Sequence, residues 1–93
     1  MEIRNESDLH SFARKHADSR KSISIWLEVV KSASWLSFAD VRHTFRSADY
    51  VKDLLVFDVG GNKYRIVCLI DYPAQRLYVI EVFTHAQYDR WKV

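Results

Sequence analysis

Phe57-Asp58-Val59-Gly60-Gly61-Asn62-Lys63-Tyr64-Arg65-Ile66 decides the fold of this chain. Apolar and polar residues alternate on both sides of a glycine pair, the period-two pattern of half-buried strands. Gly60-Gly61 reads as a two-residue hairpin loop, since glycine takes positive φ at little cost. Such a loop predicts that Val59 pairs with Asn62, Asp58 with Lys63, Phe57 with Tyr64 and Val56 with Arg65. One face then carries Leu55, Phe57, Val59, Tyr64, Ile66, Cys68 and Ile70, and is the core side. The other carries Asp58, Lys63 and Arg65 near the turn, with Val56, Val67 and Leu69 further along.

Downstream of Pro73, residues Arg76 to Phe83 read as a further strand. Alternation assigns Tyr78, Ile80 and Val82 to the core and Leu77, Val79, Glu81 and Phe83 to the other face. A five-residue loop, Asp71 to Gln75, sets Glu81 opposite Arg65, whereas a three-residue loop sets Phe83 there and Glu81 diagonal to it. Either way Lys63, Arg65 and Glu81 share a face, and His85 joins them if the extended path persists one more step. Thr84-His85-Ala86-Gln87 has capping-box spacing, which makes Thr84 the N-cap of a short terminal helix. His85 is then its first residue, with Tyr88 and Asp89 following on the same side.

Upstream the period is helical. Residues 1–5 read as a short strand with Ile3 inward, and Ser7 as the cap of a helix bearing Leu9, Phe12 and Ala13. Asp18 or Ser19 starts a second helix with an apolar stripe of Ile23, Trp26, Leu27 and Val30, so Trp26 is a core residue. Ser34 to Ser37 breaks that helix, and Ser37 caps a further turn from Phe38 to Phe45. The expectation is a single α+β domain over residues 1–93. Two to three N-terminal helices pack on a small antiparallel sheet, followed by the short C-terminal helix.

A chain of 93 residues with 48% hydrophobic and 28% charged residues has room for one core. The amino end is charged at once and no apolar run approaches transmembrane length, so a cytoplasmic protein without a membrane partner is expected. The single cysteine, Cys68, rules out a disulfide framework and reads as a core thiol. His10, His16 and His43 lack metal-ligand spacing, so no metal and no cofactor is expected. The net charge of +2 permits an anionic partner without demanding one. Basic residues do cluster, at Arg14-Lys15-His16, Arg20-Lys21, Arg42-His43 with Arg46, and Arg90-Trp91-Lys92.

Lys63, Arg65, His85 and Tyr88 supply two cations, an imidazole and a phenol, the groups that bind and cut a phosphodiester without metal. Each has a plainer explanation. Arg65 can form a surface ion pair with Glu81, His85 can bond the helix backbone, and Tyr88 can pack its ring. The same basic face can also serve a non-catalytic RNA- or protein-binding module.

Phe57-x-Val59-x-Gly61-Asn62-Lys63-x-Arg65, followed by Thr84-His85-Ala86-x-Tyr88-Asp89, resembles the HigB toxin family within the RelE-like superfamily. Trp35, Ala39-Asp40-Val41 and Phe45-Arg46-Ser47-Ala48-Asp49 are similar to the helix-to-sheet segment of the same family. The resemblance covers roughly residues 23–91 and is weak before them. It implies a RelE-like fold and a type II toxin that cleaves messenger RNA, commonly on the ribosome. It also implies neutralisation by a HigA-like helix-turn-helix antitoxin. The implied chemistry is attack of a ribose 2′-hydroxyl on its own adjacent phosphate. Arg65 would stabilise the phosphorane and His85 would act as general acid, or as base in the reverse assignment. Glu81 would be the base or would orient Arg65, and Tyr88 would stack on or bond the substrate. Lys63, Arg90 and Lys92 would grip the RNA backbone, and Arg14, Lys15, Arg20 and Lys21 would meet ribosomal RNA. Only four residues follow Asp89, so a weak grip on free RNA is expected. Arg65→Ala and His85→Ala are both expected to leave the fold intact.

Overall fold

The computed structural model describes residues 1–93. Its elements are β1 (Glu2–Arg4), α1 (Glu6–Lys15), α2 (Arg20–Ser32), α3 (Phe38–Thr44), β2 (Asp49–Val51), β3 (Leu54–Val59), β4 (Tyr64–Asp71), β5 (Arg76–Thr84) and α4 (His85–Lys92). The sheet runs β1-β5-β4-β3-β2. Its β2–β3, β3–β4 and β4–β5 pairs are antiparallel, while β1 runs parallel to β5. The sheet is therefore mixed rather than wholly antiparallel, because the amino end docks beside the last strand. An Arg76–Glu2 bond of 2.6 Å and a Glu2 amide donating to Gln75 at 2.8 Å fasten it there.

One face of the sheet carries α1, α2 and α3 over the main core, and Ile3 faces inward as expected. Leu9 and Ala13 from α1, with Ile23, Trp26, Leu27 and Val30 from α2, meet Leu55, Phe57, Ile66 and Cys68. Phe57 is the hub, with the rings of Trp26, Trp35 and Phe45 within 6.2 Å of it. Each such side chain taken fully from water contributes about 1.5–3 kcal/mol. The other face is covered by α4 alone, which seats Tyr88 against Val56 and Val67. No helix is long and apolar enough to cross a membrane.

The caps are partly as expected. Ser37 accepts the Asp40 amide, and Thr84 with Gln87 forms a complete capping box. Ser7 caps nothing. Asn5 precedes α1 in the left-handed region (φ 64°), and its side chain donates to the Val79 carbonyl at 3.2 Å. Asparagine tolerates that conformation, which the sharp turn out of β1 requires.

The glycine loop is longer than two residues. Gly60, Gly61 and Asn62 all have positive φ (65°, 61° and 72°), and the Lys63 amide closes the turn on the Gly60 carbonyl at 3.3 Å. Val59 therefore pairs with Tyr64, Asp58 with Arg65, Phe57 with Ile66 and Val56 with Val67. The register moves by two residues, so the side chains that stay in the strands keep their predicted faces while every partner changes. Lys63 leaves the strand for the turn. The tight loop with two positive φ values is Lys52-Asp53 (55° and 63°), joining β3 to β2, an edge strand the sequence pattern did not reveal.

In β5 the expected alternation fails. Val67 pairs with Glu81 but Cys68 pairs with Val79, leaving Ile80 as an extra residue in a bulge. Leu77 and Val79 are buried in the main core, whereas Tyr78 is half-buried and Ile80 is 42% exposed. The inward and outward assignments of these four residues are thus reversed, while Val82 still packs on the core. Asp71 pairs with Arg76, so the intervening loop matches neither expected length. With the bulge, it sets Phe83 opposite Arg65 and Glu81 opposite Val67.

Candidate active site

The open edge of the α4 face is built where the hairpin turn meets the start of α4. Thr84 still pairs with Tyr64, and the His85 amide donates to the Lys63 carbonyl at 2.9 Å. The capping box then turns the chain abruptly into α4. Burial of Tyr88, and the Trp91 ring 5.7 Å from Phe83, hold the helix down. At its far end the Lys52 ammonium donates to the Trp91 carbonyl at 2.5 Å, a cation where a helix C-terminus favours one.

Arg65 is 8% exposed and its guanidinium is almost fully engaged. Nε meets Asp58 Oδ1 at 2.8 Å, Nη1 donates to the Asn62 and Tyr64 carbonyls at 2.9 and 3.2 Å, and Nη2 donates to His85 Nδ1 at 3.1 Å. The Arg65 carbon Cζ lies 5.3 Å from the Tyr88 ring centre. A guanidinium has only donors, so Nδ1 of His85 accepts and its proton resides on Nε2. Nε2 in turn faces Asp89 Oδ2 at 3.2 Å. The imidazole is about half exposed. Asp58, Arg65, His85 and Asp89 thus form one chain of contacts, open to solvent at the His85 end.

Of the residues singled out from the sequence, Arg65, His85 and Tyr88 come together. Tyr88 does so as a buried ring beneath Arg65, and burial foremost raises its hydroxyl above the usual tyrosine value. Its ring faces are covered by protein rather than presented to a substrate. Glu81 is exposed and makes no hydrogen bond or ion pair with Arg65 or His85; it borders a shallow cavity beside Ser11, Phe12 and Lys15. Lys63 lies exposed in the turn, 3.8 Å from Asp18. Lys92 hangs over the Tyr88 ring at 5.8 Å, and Arg90 is exposed. Asp58 was missed, because the two-residue loop gave Lys63 to it as a partner. Asn62, a third residue able to take positive φ, was the signal that the loop is longer. No three His, Cys, Asp or Glu side chains gather as a metal-ligand group.

The family model described as HigB toxin, RelE-like toxic component of a toxin-antitoxin system, matches residues 19–91. The chain belongs to the HigB toxin family. Every residue of the Arg65–His85 cluster lies inside the matched region, whereas β1 and α1 lie outside it. A relative named mRNA interferase HigB from Escherichia coli O6:H1 is 27% identical over 93 residues, covering 97% of this chain and 90% of its own length. The mRNA interferase toxin HigB of Escherichia coli strain K12 is 27% identical over 92 residues, covering 96% and 88% respectively. As a HigB-family toxin, the chain has an antitoxin as its counterpart.

Proposed function

We propose that this HigB-family toxin cuts messenger RNA by metal-independent attack of a ribose 2′-hydroxyl on its own 3′-phosphate, and so stops translation. The observation that carries this reading is the imidazole of His85, half open to solvent, with Arg65 on Nδ1 and Asp89 on Nε2. An entering phosphate offers Nη2 of Arg65 a better acceptor than an imidazole nitrogen. As Nη2 shifts to a phosphate oxygen, Nδ1 is freed to take the 2′-hydroxyl proton, while Asp89 steadies the imidazolium through Nε2. The 2′-oxygen–phosphorus bond forms and the phosphorus–5′-oxygen bond breaks. Arg65 faces the negative charge that gathers on the phosphorane, and the 5′-oxygen leaves with a proton from solvent. The products are a 2′,3′-cyclic phosphate and a 5′-hydroxyl.

This geometry supports the base assignment for His85, and the proposed mechanism gives Glu81 no step. Tyr88 carries Arg65 and seats α4 rather than stacking on a base. Lys63, Arg90 and Lys92 are the proposed contacts to the RNA backbone. The net charge is only +2, so alignment of the RNA comes from the ribosome, with Arg14, Lys15, Arg20 and Lys21 as contacts to its RNA. The setting is the cytoplasm, and the antitoxin is a HigA-like helix-turn-helix protein. The test is one transcript incubated with the toxin, with translation running and with initiation blocked, followed by addition of the antitoxin. Rapid cutting only during translation, stopped by the antitoxin, is expected; an intact message in every arm would overturn the reading.

A further inference from the structure

We infer that Asp58 is a positioning residue for His85, acting through Arg65. Asp58 forms an ion pair with the guanidinium, its Oδ1 2.8 Å from Nε. Carbonyls from the bent loop and from Tyr64 occupy Nη1. Together they hold two edges of the planar fork and leave Nη2 as the only nitrogen aimed at His85. A carboxylate gripping the fork with both oxygens would have consumed the nitrogen that His85 needs. The left-handed run Gly60-Gly61-Asn62 completes the clamp, because it turns the Asn62 carbonyl back toward Arg65.

The consequence reaches the imidazole. His85 accepts at Nδ1 only while Nη2 stays in place, and that bond selects the tautomer with its proton on Nε2, toward Asp89. Without Asp58 the arginine side chain regains rotation about its long stem, and the imidazole loses the donor that fixes its tautomer. Since an acceptor on Nε is what matters, asparagine at position 58 retains the function through its amide oxygen. Alanine does not.

The kinetic part of this inference rests on the proposed RNA cleavage, whereas the tautomer does not, and the test separates the two. Full-length Asp58→Ala and Asp58→Asn are compared with the unaltered chain by ¹⁵N spectra of the His85 ring and by cleavage of a translated message. The unaltered chain and Asp58→Asn should show unprotonated Nδ1 and protonated Nε2. Asp58→Ala should shift both nitrogens toward a tautomer mixture. Its kcat should fall about 10- to 100-fold, the range for losing a charge-assisted contact, with KM little changed. Asp58→Thr, compatible with a strand but too short to reach Nε, replaces the alanine variant if that one does not fold. Unchanged His85 resonances in a folded variant lacking the acceptor would overturn the inference. So would equal loss of activity in Asp58→Asn and Asp58→Ala. An unaltered chain that never cuts RNA would sink the proposed function, while the spectra would still decide the role of Asp58.

Discussion

Arg65→Ala should damage stability as well as activity, whereas His85→Ala should damage activity alone. Removing the guanidinium strips Asp58 of its counter-ion and takes a donor away from the Asn62 and Tyr64 carbonyls. Breaking a buried pair costs about 3–5 kcal/mol because it strands a buried charge. The Asp58 side chain is 24% exposed and can turn partly to water, which brings the expected cost to the lower end, about 3 kcal/mol. A domain of this size has only about 5–14 kcal/mol of stability in total. The loss should therefore lower Tm by roughly 10–20 °C without unfolding the chain at room temperature. His85, with 55% of its side chain exposed, should cost within about 0.5 kcal/mol. The assay is thermal unfolding followed by circular dichroism at one protein concentration, paired with cleavage of a translated message. Both variants should lose about 10²-fold or more in rate. The expectation from alternation alone, that both leave the fold intact, rested on placing both residues on the polar face. If Arg65→Ala melts with the unaltered protein, the guanidinium is not the structural clamp described here.

Cleavage should survive excess EDTA and should fail on RNA 2′-O-methylated at the cleavage site; a metal requirement would remove the proposed chemistry. Tyr88→Phe should keep both fold and activity, while Tyr88→Ala empties the small core beneath α4 and costs about 3–5 kcal/mol, read as a lower urea midpoint. Equal midpoints would show that α4 is held otherwise. The carboxyls of Glu2, Glu6 and Asp18 are held below their ordinary values, chiefly by hydrogen bonds from Arg76, Lys31 and Tyr64. Their folded pKa values lie below the unfolded ones, so the stability they give is present above the ordinary carboxyl range and lost as pH falls through the folded values. Urea midpoints should thus decline below about pH 4. Asp18→Asn should flatten part of that decline, and an unchanged slope would count against the Tyr64–Asp18 bond.

Much of the site was legible because the signals were local. Thr84 and Gln87 fix the start of α4 through one turn of backbone, and that places His85, Tyr88 and Asp89 without knowledge of the rest. Strand faces in the hairpin were legible because a register error of two preserves parity, which is why Arg65 was assigned correctly to the α4 face. Its partners were not, since they depend on loop length, and Asn62 in the left-handed region added two residues to the turn. The bulge at Ile80 leaves no compositional mark. An apolar residue stands where alternation demands one, yet the backbone there turns it to solvent. The edge strand β2 is three residues long, too short to show a period, and its tight loop uses Lys52-Asp53 instead of glycine. A packed Tyr88 ring was one of the two readings open in the sequence; the surface it packs on was not legible, because it depends on α4 lying back across Val56 and Val67.

The most direct measurement follows one end-labelled transcript under translation with the unaltered toxin and with His85→Ala, identifying the new ends by mass spectrometry. The unaltered toxin should leave 2′,3′-cyclic phosphate and 5′-hydroxyl ends, and the folded His85→Ala variant should leave the message intact. Cutting by both proteins at equal rates, or fragments ending in a 3′-hydroxyl, would contradict the account.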